Sequence, residues 1–199
     1  QNAGQSCICA KRMIVHADVY DAFLDKFTAA MLAVKIGDPM ADGVEMGPLS
    51  SVEQRDTVLE QLERATADGA TLAGGEKIER DGAWMTAGVL THVDPNADFA
   101  QEEIFGPVAM VFRAEDLDAA IALANVVPFG LGSGVWTQDQ AEIDRFVRDI
   151  ESGMTAVNQL LASTPEAPFG GVKLSGHGRE LGPWGLHEFM NLKAVMLPA

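Results

Sequence analysis

The sequence predicts an α/β fold with a largely parallel sheet. Three observations lead there: short apolar runs suited to strands, amphipathic helical stretches between them, and Gly, Asp or Ser at the joints. With 199 residues, 47% hydrophobic and 22% charged, the chain can bury a real core. One domain is the default expectation.

The elements follow in order. The run KRMIV, 11 to 15, reads as a strand. Asp18 has the chemistry of a helix N-cap, and Val19, Phe23, Phe27, Met31 and Val34 recur at helical spacing, so residues 19 to 34 predict an amphipathic helix. KIGDPMADGVEMGPL is loop. A second helix is expected from about 51 to 68, with Val52, Leu59 and Leu62 inward and Gly69 as its stop. Strands are expected near 70 to 73, 85 to 90 and 108 to 113. Asp116 then starts a helix carrying Leu117, Ala120, Ile121 and Ala124. GLGSGVW reads as a strand, and residues 140 to 152 as a helix with Ile143, Phe146, Val147 and Ile150 inward and Gly153 at its end. MTAVN at 154 to 158 is a buried strand, and NLKAVML at the C-terminus a final one. No repeat or low-complexity linker interrupts the pattern.

Composition narrows the function. The 29 acidic and 14 basic residues give a formal charge of −15, which repels nucleic acid and anionic membrane surfaces, so neither is an expected partner. No apolar run approaches the roughly 20 residues of a membrane span, and the N-terminus lacks the basic and apolar regions of a signal peptide, which together predict a cytoplasmic protein. The only cysteines are Cys7 and Cys9. In a reducing compartment such a pair points to catalysis, redox chemistry or metal binding, and metal is weakest because no further cysteine or histidine cluster completes four ligands. No metal is therefore expected. His16, His92, His177 and His187 sit in no motif.

Phosphate-binding loops are near misses. In Gly130, Gly132 and Gly134 the G-x-G-x-x-G spacing fails at Val135; Gly176, Gly178 and Gly182 fail by one residue, and there is no Walker sequence.

Cys7 follows Ala3-Gly4-Gln5-Ser6, a small-residue turn expected to lead into a short helical piece, where backbone N–H groups favour a thiolate. The alternative is that both cysteines are small buried apolar residues. N-A-G-Q-S-C at 2 to 7, EEIFGP at 102 to 107 and PFGGVKLSGHGRELG at 168 to 182 resemble, in order and spacing, three motifs of the aldehyde dehydrogenase superfamily, and the similarity runs to the C-terminal strand. The resemblance implies a three-layer catalytic domain over 1–189 and an oligomerisation strand over 190–199. It also implies that an N-terminal cofactor-binding domain, the general-base glutamate and an oxyanion-holding asparagine lie outside these residues.

The implied chemistry is the oxidation of a small aldehyde with NAD or NADP. Cys7 thiolate adds to the carbonyl carbon, and the oxyanion is held by the Cys7 N–H and the asparagine. Hydride leaves to the nicotinamide, and water hydrolyses the resulting thioester. By the same resemblance Glu103 accepts hydrogen bonds from the nicotinamide ribose hydroxyls, for which two carboxylate oxygens are suited, and Phe105 packs near the ring. Without the other motifs, Glu103 would read as a solvated turn residue and Phe105 as core. Pro168 and Phe169 fall on the wall of the substrate tunnel, while Arg179 and Glu180 read as structural. Of the clustered glycines Gly170, Gly171, Gly176 and Gly178, most serve tight turns.

QSCICAKRMIVHADVYDAF, LGSGVW and GRELGPWGLHEFMNLK most resemble bacterial succinate-semialdehyde dehydrogenases. There, a serine five residues before the PFGG proline contacts the substrate carboxylate, and Ser163 holds that position. Its alternative is a loop serine bonded to its own backbone. Some of these enzymes carry arginine directly before N-x-G-Q-x-C, where this chain has Gln1, an amide that can donate a hydrogen bond but supplies no charge. The C-x-C pair also implies a possible redox role for Cys9, closing a disulfide with Cys7. On a regular helix these side chains point about 200° apart, so closure would need unwinding; plain packing is the other reading of Cys9. The apolar end segment predicts a homo-oligomer. Two rival functions remain open: a non-catalytic oligomerisation module, and a cofactor-free thiol acyltransferase or thioesterase, neither of which needs Glu103.

Overall fold

The computed structural model describes residues 2–198, and the chain divides into two compact units, Gln1–Val127 and Pro128–Ala199. Gln1, expected at the substrate end, lies outside the described residues.

The first unit is built on a four-stranded sheet. Its strands are β1 (Arg12–His16), β2 (Thr71–Gly74), β3 (Gly88–Thr91) and β4 (Val108–Ala114), in the order β1-β4-β3-β2. Both β1 and β3 run parallel to β4, while β2 is antiparallel to β3 at the edge. Alternation along the strands feeds two cores. Val15, Val89 and Val111 face α1 (Tyr20–Leu32), which offers Phe23, Leu24, Phe27 and Met31. Leu90, Met110 and Phe112 meet α2 (Val52–Ala67) through Val58, Leu62 and Ala65. With α3 (Leu117–Asn125) contributing Leu123 to this second core, the unit has three layers, as expected.

The helices begin where side chains satisfy their free N–H groups. Ser51 Oγ accepts from Gln54 N–H at 3.0 Å and Asp116 Oδ1 from Ala119 N–H at 2.8 Å, so both expected starts hold. Asp18 does not cap α1. The ring Nδ1 of His16 accepts from Asp18 N–H at 3.2 Å, which starts a 3₁₀ turn, Ala17–Val19, ahead of the helix. Val52, expected inward, is 47% exposed, because the buried stripe of α2 runs through residues 55, 58, 61, 62 and 65. β3 starts at Gly88 rather than 85, Met85 making only a single bridge to Lys77.

The second unit contains β5 (Phe129–Gly130), β6 (Gly132–Val135), α4 (Gln140–Asp149), β7 (Met154–Val157), β8 (Val172–Lys173) and α5 (Gly182–His187). GLGSGVW, expected as one strand, splits because Phe129 and Gly130 pair antiparallel with β8 while β6 pairs parallel with β7. Asp139 caps α4 by accepting from Ala141 N–H at 2.7 Å. That helix stops at Asp149, before the expected 152: Ile150 turns extended at ψ 130, and Arg145 and Arg148 both hold Asp149 in the last turn. Val147, expected inward, is exposed, and Phe146 alone of that face is fully buried.

Residues 191–198 carry no strand ladder within the described residues, and Leu192, Val195, Met196 and Leu197 are exposed. A strand exists through its neighbour's hydrogen bonds, and nothing among the described residues pairs with this segment.

Candidate active site

The N-terminal motif is a tightly stapled turn. Asn2, Ala3 and Gly4 are all in the left-handed region, at φ 50, 49 and 72, which asparagine and glycine adopt readily and alanine at a cost. Asn2 Nδ2 donates to Gln5 O at 2.8 Å, and Gln5 Nε2 returns a bond to Asn2 O at 3.2 Å. Gln5 Oε1 accepts from Ser50 N–H at 2.8 Å, which ties the turn to the start of α2. A further turn, closed by Cys9 N–H donating to Ser6 O at 2.9 Å, presents Cys7. The expected helical piece is absent: residues 6 to 9 form a turn and bends, because the chain enters β1 at Arg12 before a helix can propagate. The i, i+2 geometry of a helix therefore does not govern Cys7 and Cys9, which no disulfide joins. Cys7 is exposed, and its N–H makes no internal hydrogen bond among the described residues.

The second motif lies directly against the first. A Cβ on Gly4 would overlap the carbonyl of Gly106, so the two backbones meet only because residue 4 has no side chain. Lys11 Nζ donates to Gly4 O and lies 5.4 Å from the centre of the Phe105 ring. Burial pushes the Lys11 ammonium below its ordinary value, a shift opposed by Cys9 and Glu103. Cys7, Glu103 and Phe105 thus belong to two abutting loops of the first unit.

Helix α2 mounts the 102–107 loop. Gln54 Nε2 donates to Phe105 O at 2.9 Å. Gln61 Nε2 donates to Glu102 Oε2 at 3.0 Å and to Glu103 O at 3.3 Å. Arg64 meets the Glu102 carboxylate fork to fork, with both N···O distances 2.7 Å. The hydrogen bonds from Arg64 and then Gln61 hold the Glu102 carboxyl down at about 2. Ile104, 1% exposed, anchors the loop in the core, and Phe105 is half-buried. The two adjacent glutamates therefore have different surroundings. Glu102 is fastened to the helix, whereas Glu103 is exposed and its carboxylate makes no hydrogen bond or ion pair among the described residues.

Lys11, Gln54, Gln61 and Arg64 were not singled out by the sequence motifs. A signal existed for Gln61: a polar residue in the register of Val58, Leu62 and Ala65 is buried with the apolar stripe. Arg12, next to Lys11, has its guanidinium 4.4 Å from the Phe112 ring centre and donates to Leu123 O at 2.9 Å; burial lowers it to about 10.

Ser163 and Phe169 lie in the second unit. Ser163 is exposed, and its hydroxyl makes no hydrogen bond among the described residues, so the backbone-bonded alternative is not what the structure shows. Phe169 exchanges backbone hydrogen bonds with Glu180, both 2.8 Å, and Arg179 Nη1 donates to Gly171 O at 2.8 Å, so Arg179 and Glu180 serve the backbone of the third motif. Among the described residues no His, Cys, Asp or Glu group is arranged to hold a metal, and no helix is long and apolar enough to cross a membrane.

Comparison with known proteins agrees with the motifs. The Aldehyde dehydrogenase family profile matches residues 1–195. Succinate-semialdehyde dehydrogenase [NADP(+)] 1 of Mycobacterium tuberculosis (strain ATCC 25618 / H37Rv) is 48% identical over 198 residues, which cover 99% of this chain and 43% of the relative. The Mycobacterium ulcerans (strain Agy99) protein of the same name is 48% identical over 196 residues, again covering 43% of its length. The chain thus spans less than half of these relatives. Among solved structures, one on cofactor and substrate selection by Gox0499 superposes with a TM-score of 0.94 at 44% identity, covering 98% of this chain and 43% of that one. Betaine aldehyde dehydrogenase from Staphylococcus aureus in complex with NAD+ superposes with a TM-score of 0.91 at 34% identity, covering 94% and 38%.

Proposed function

The chain belongs to the aldehyde dehydrogenase family, and from that premise we propose that it supplies the nucleophile and the nicotinamide-facing loop of an NAD(P)-dependent dehydrogenase that oxidises succinate semialdehyde to the acid. The observation that carries this reading is an exposed Cys7, with an unoccupied N–H, on a turn packed against the loop that bears a free Glu103 carboxylate. Relatives named for NADP(+) and for succinate semialdehyde support the cofactor and substrate.

The residues present fit a nicotinamide nucleotide. Glu103 is exposed with both oxygens free to accept from a ribose diol, and Phe105 offers a half-buried ring beside it. The nucleotide, when bound, supplies the hydride acceptor. Cys7 Sγ forms the bond to the carbonyl carbon, and the electron pair of the C=O moves to oxygen. The Cys7 N–H donates to that oxyanion from a backbone already held by the Ser6–Cys9 bond, so little reorganisation is needed. Collapse of the adduct leaves a thioester on Sγ, and hydrolysis returns the thiol and releases the acid. The general base and the second oxyanion donor come from residues outside the two loops described. Residues 190–199 complete a strand on a second subunit, and Cys9 is the partner that closes on Cys7 under oxidation.

The test is Cys7→Ser in the full-length enzyme. A hydroxyl is a far weaker nucleophile than a thiolate, so NAD(P)H formation should fall by at least about a thousandfold. Retained turnover refutes the assignment, and turnover of simple aldehydes with no preference for succinate semialdehyde refutes the substrate alone. For the redox pair, mild peroxide should remove two thiols with a disulfide seen by mass; loss of one thiol only refutes it.

A further inference from the structure

We propose that Gln61 and Arg64 of α2 are positioning residues for the nicotinamide nucleotide, acting by fastening Glu102 to the helix and so fixing the direction of Glu103. The inference rests on the reading of Glu103 given above and assigns to the helix a function that no motif marks.

The loop from 102 to 107 has no strand ladder or helix to hold it. Its backbone is tied at the ends, where Glu102 N–H donates to Phe99 O at 3.2 Å and Pro107 O accepts from Gly88 N–H at 2.9 Å, and between those ties its order rests largely on side chains; every unfixed residue lowers the affinity of whatever it must bind, because ordering is then required on binding. Here the ordering is already done. Arg64 presents two N–H groups to the two oxygens of Glu102, both at 2.7 Å, a geometry that fixes the carboxylate in plane as well as in distance. Gln61 adds one bond to the same carboxylate and one to the carbonyl of Glu103 itself. With residue 102 turned to the helix and the carbonyl of 103 held, the one carboxylate left unengaged is that of Glu103.

The arrangement has a cost that points the same way. Gln61 is 5% exposed, and its Oε1 is buried without a hydrogen-bond partner among the described residues. Half of a buried amide is unsatisfied, so an apolar residue of similar size would suit the core at least as well. A side chain that its surroundings do not favour is better explained by what its Nε2 holds than by stability.

The experiment uses the full-length enzyme, with NAD+ and NADP+ as probes in fluorescence titration and steady-state kinetics. Gln61→Leu and Arg64→Gln should each raise Kd and KM for the nucleotide about tenfold, with a much smaller change in kcat at saturation, since the loop can still be ordered by excess ligand. The melting temperature of Gln61→Leu should be no lower than that of the parent. Arg64→Glu should weaken binding further, and combining it with Glu102→Arg should recover most of the loss. Unchanged nucleotide affinity in Arg64→Gln and Arg64→Glu, beside a weakened Glu103→Gln, would overturn the proposal and leave the function of Glu103 standing. Weak single variants that the charge swap does not recover would place Arg64 in direct contact with the nucleotide, which also overturns it. Unaltered affinity in Glu103→Gln would sink the underlying reading instead. Should Gln61→Leu not fold, the half-exposed Arg64 and Glu102 variants decide alone.

Discussion

Gly4→Ala tests the contact that joins the two motif loops. Two effects add. Gly4 sits at φ 72, where a Cβ costs about 1–2 kcal/mol. The added methyl would also overlap the Gly106 carbonyl and come within 3.0 Å of Pro107 N, both backbone atoms that no rotamer change can move. Relief requires the turn and the 106–107 peptide to separate by about 1 Å, and a misplacement of that size at a reacting centre can cost about a hundredfold in rate. Gly43→Ala separates the terms, because Gly43 is at φ 75 with nothing within 4 Å. Measured in the full-length enzyme, kcat/KM should fall about a hundredfold for Gly4→Ala and remain near the parent value for Gly43→Ala, with both lowering the melting temperature. Parental kcat/KM in Gly4→Ala, with parental melting, would refute the packing of turn on loop.

Other consequences can be measured directly. Ile104→Ala empties a site 1% exposed and should cost about 2–5 kcal/mol by denaturant unfolding, with nucleotide KM rising because the loop loses its core anchor. The Glu102 carboxyl is held at about 2 against an ordinary 4.5, so its contribution is complete above 4.5 and is lost as pH falls towards 2. Glu102→Gln should therefore flatten the acid limb of stability in that window, modestly, since the Arg64 pair is half-exposed. Lys11 shows the opposite sign: a half-buried ammonium with a lowered pKa penalises the fold at low pH, and the penalty is relieved as pH rises through that pKa towards 10.5. Lys11→Met should remove this alkaline gain while slowing the chemistry, read as the pH dependence of unfolding beside kcat; an unaltered alkaline limb refutes the burial of that charge.

Much of the first unit was legible because its helices carry complete local signals. α2 has a serine cap, a long apolar stripe and Gly69 beyond its end, and it forms within a residue of the expected limits. Asp116 likewise fixed the start of α3. What failed was governed by partners rather than by local chemistry. GLGSGVW splits because its two halves pair with strands far apart in the sequence, and Val52 is exposed because the stripe below it runs through Arg55 and Gln61 instead. In the candidate site, Cys7, Glu103 and Phe105 were readable as motif residues, but the side chains of α2 that hold the second loop were not. A hydrogen bond from Gln54 or Arg64 across 51 or 38 residues leaves no local pattern for periodicity to detect.

The pairing of β1 with β4 brings Arg12 beside Met110, and the turn bearing Cys7 precedes one strand just as the loop bearing Glu103 precedes the other. Closing a chain segment of roughly a hundred residues is slow compared with helix formation. Collapsed intermediates with α1 and α2 already wound should therefore hold the thiol and the carboxylate apart. Reactivity of the sulfur during refolding would consequently emerge as a late kinetic phase, after most of the helical signal has returned.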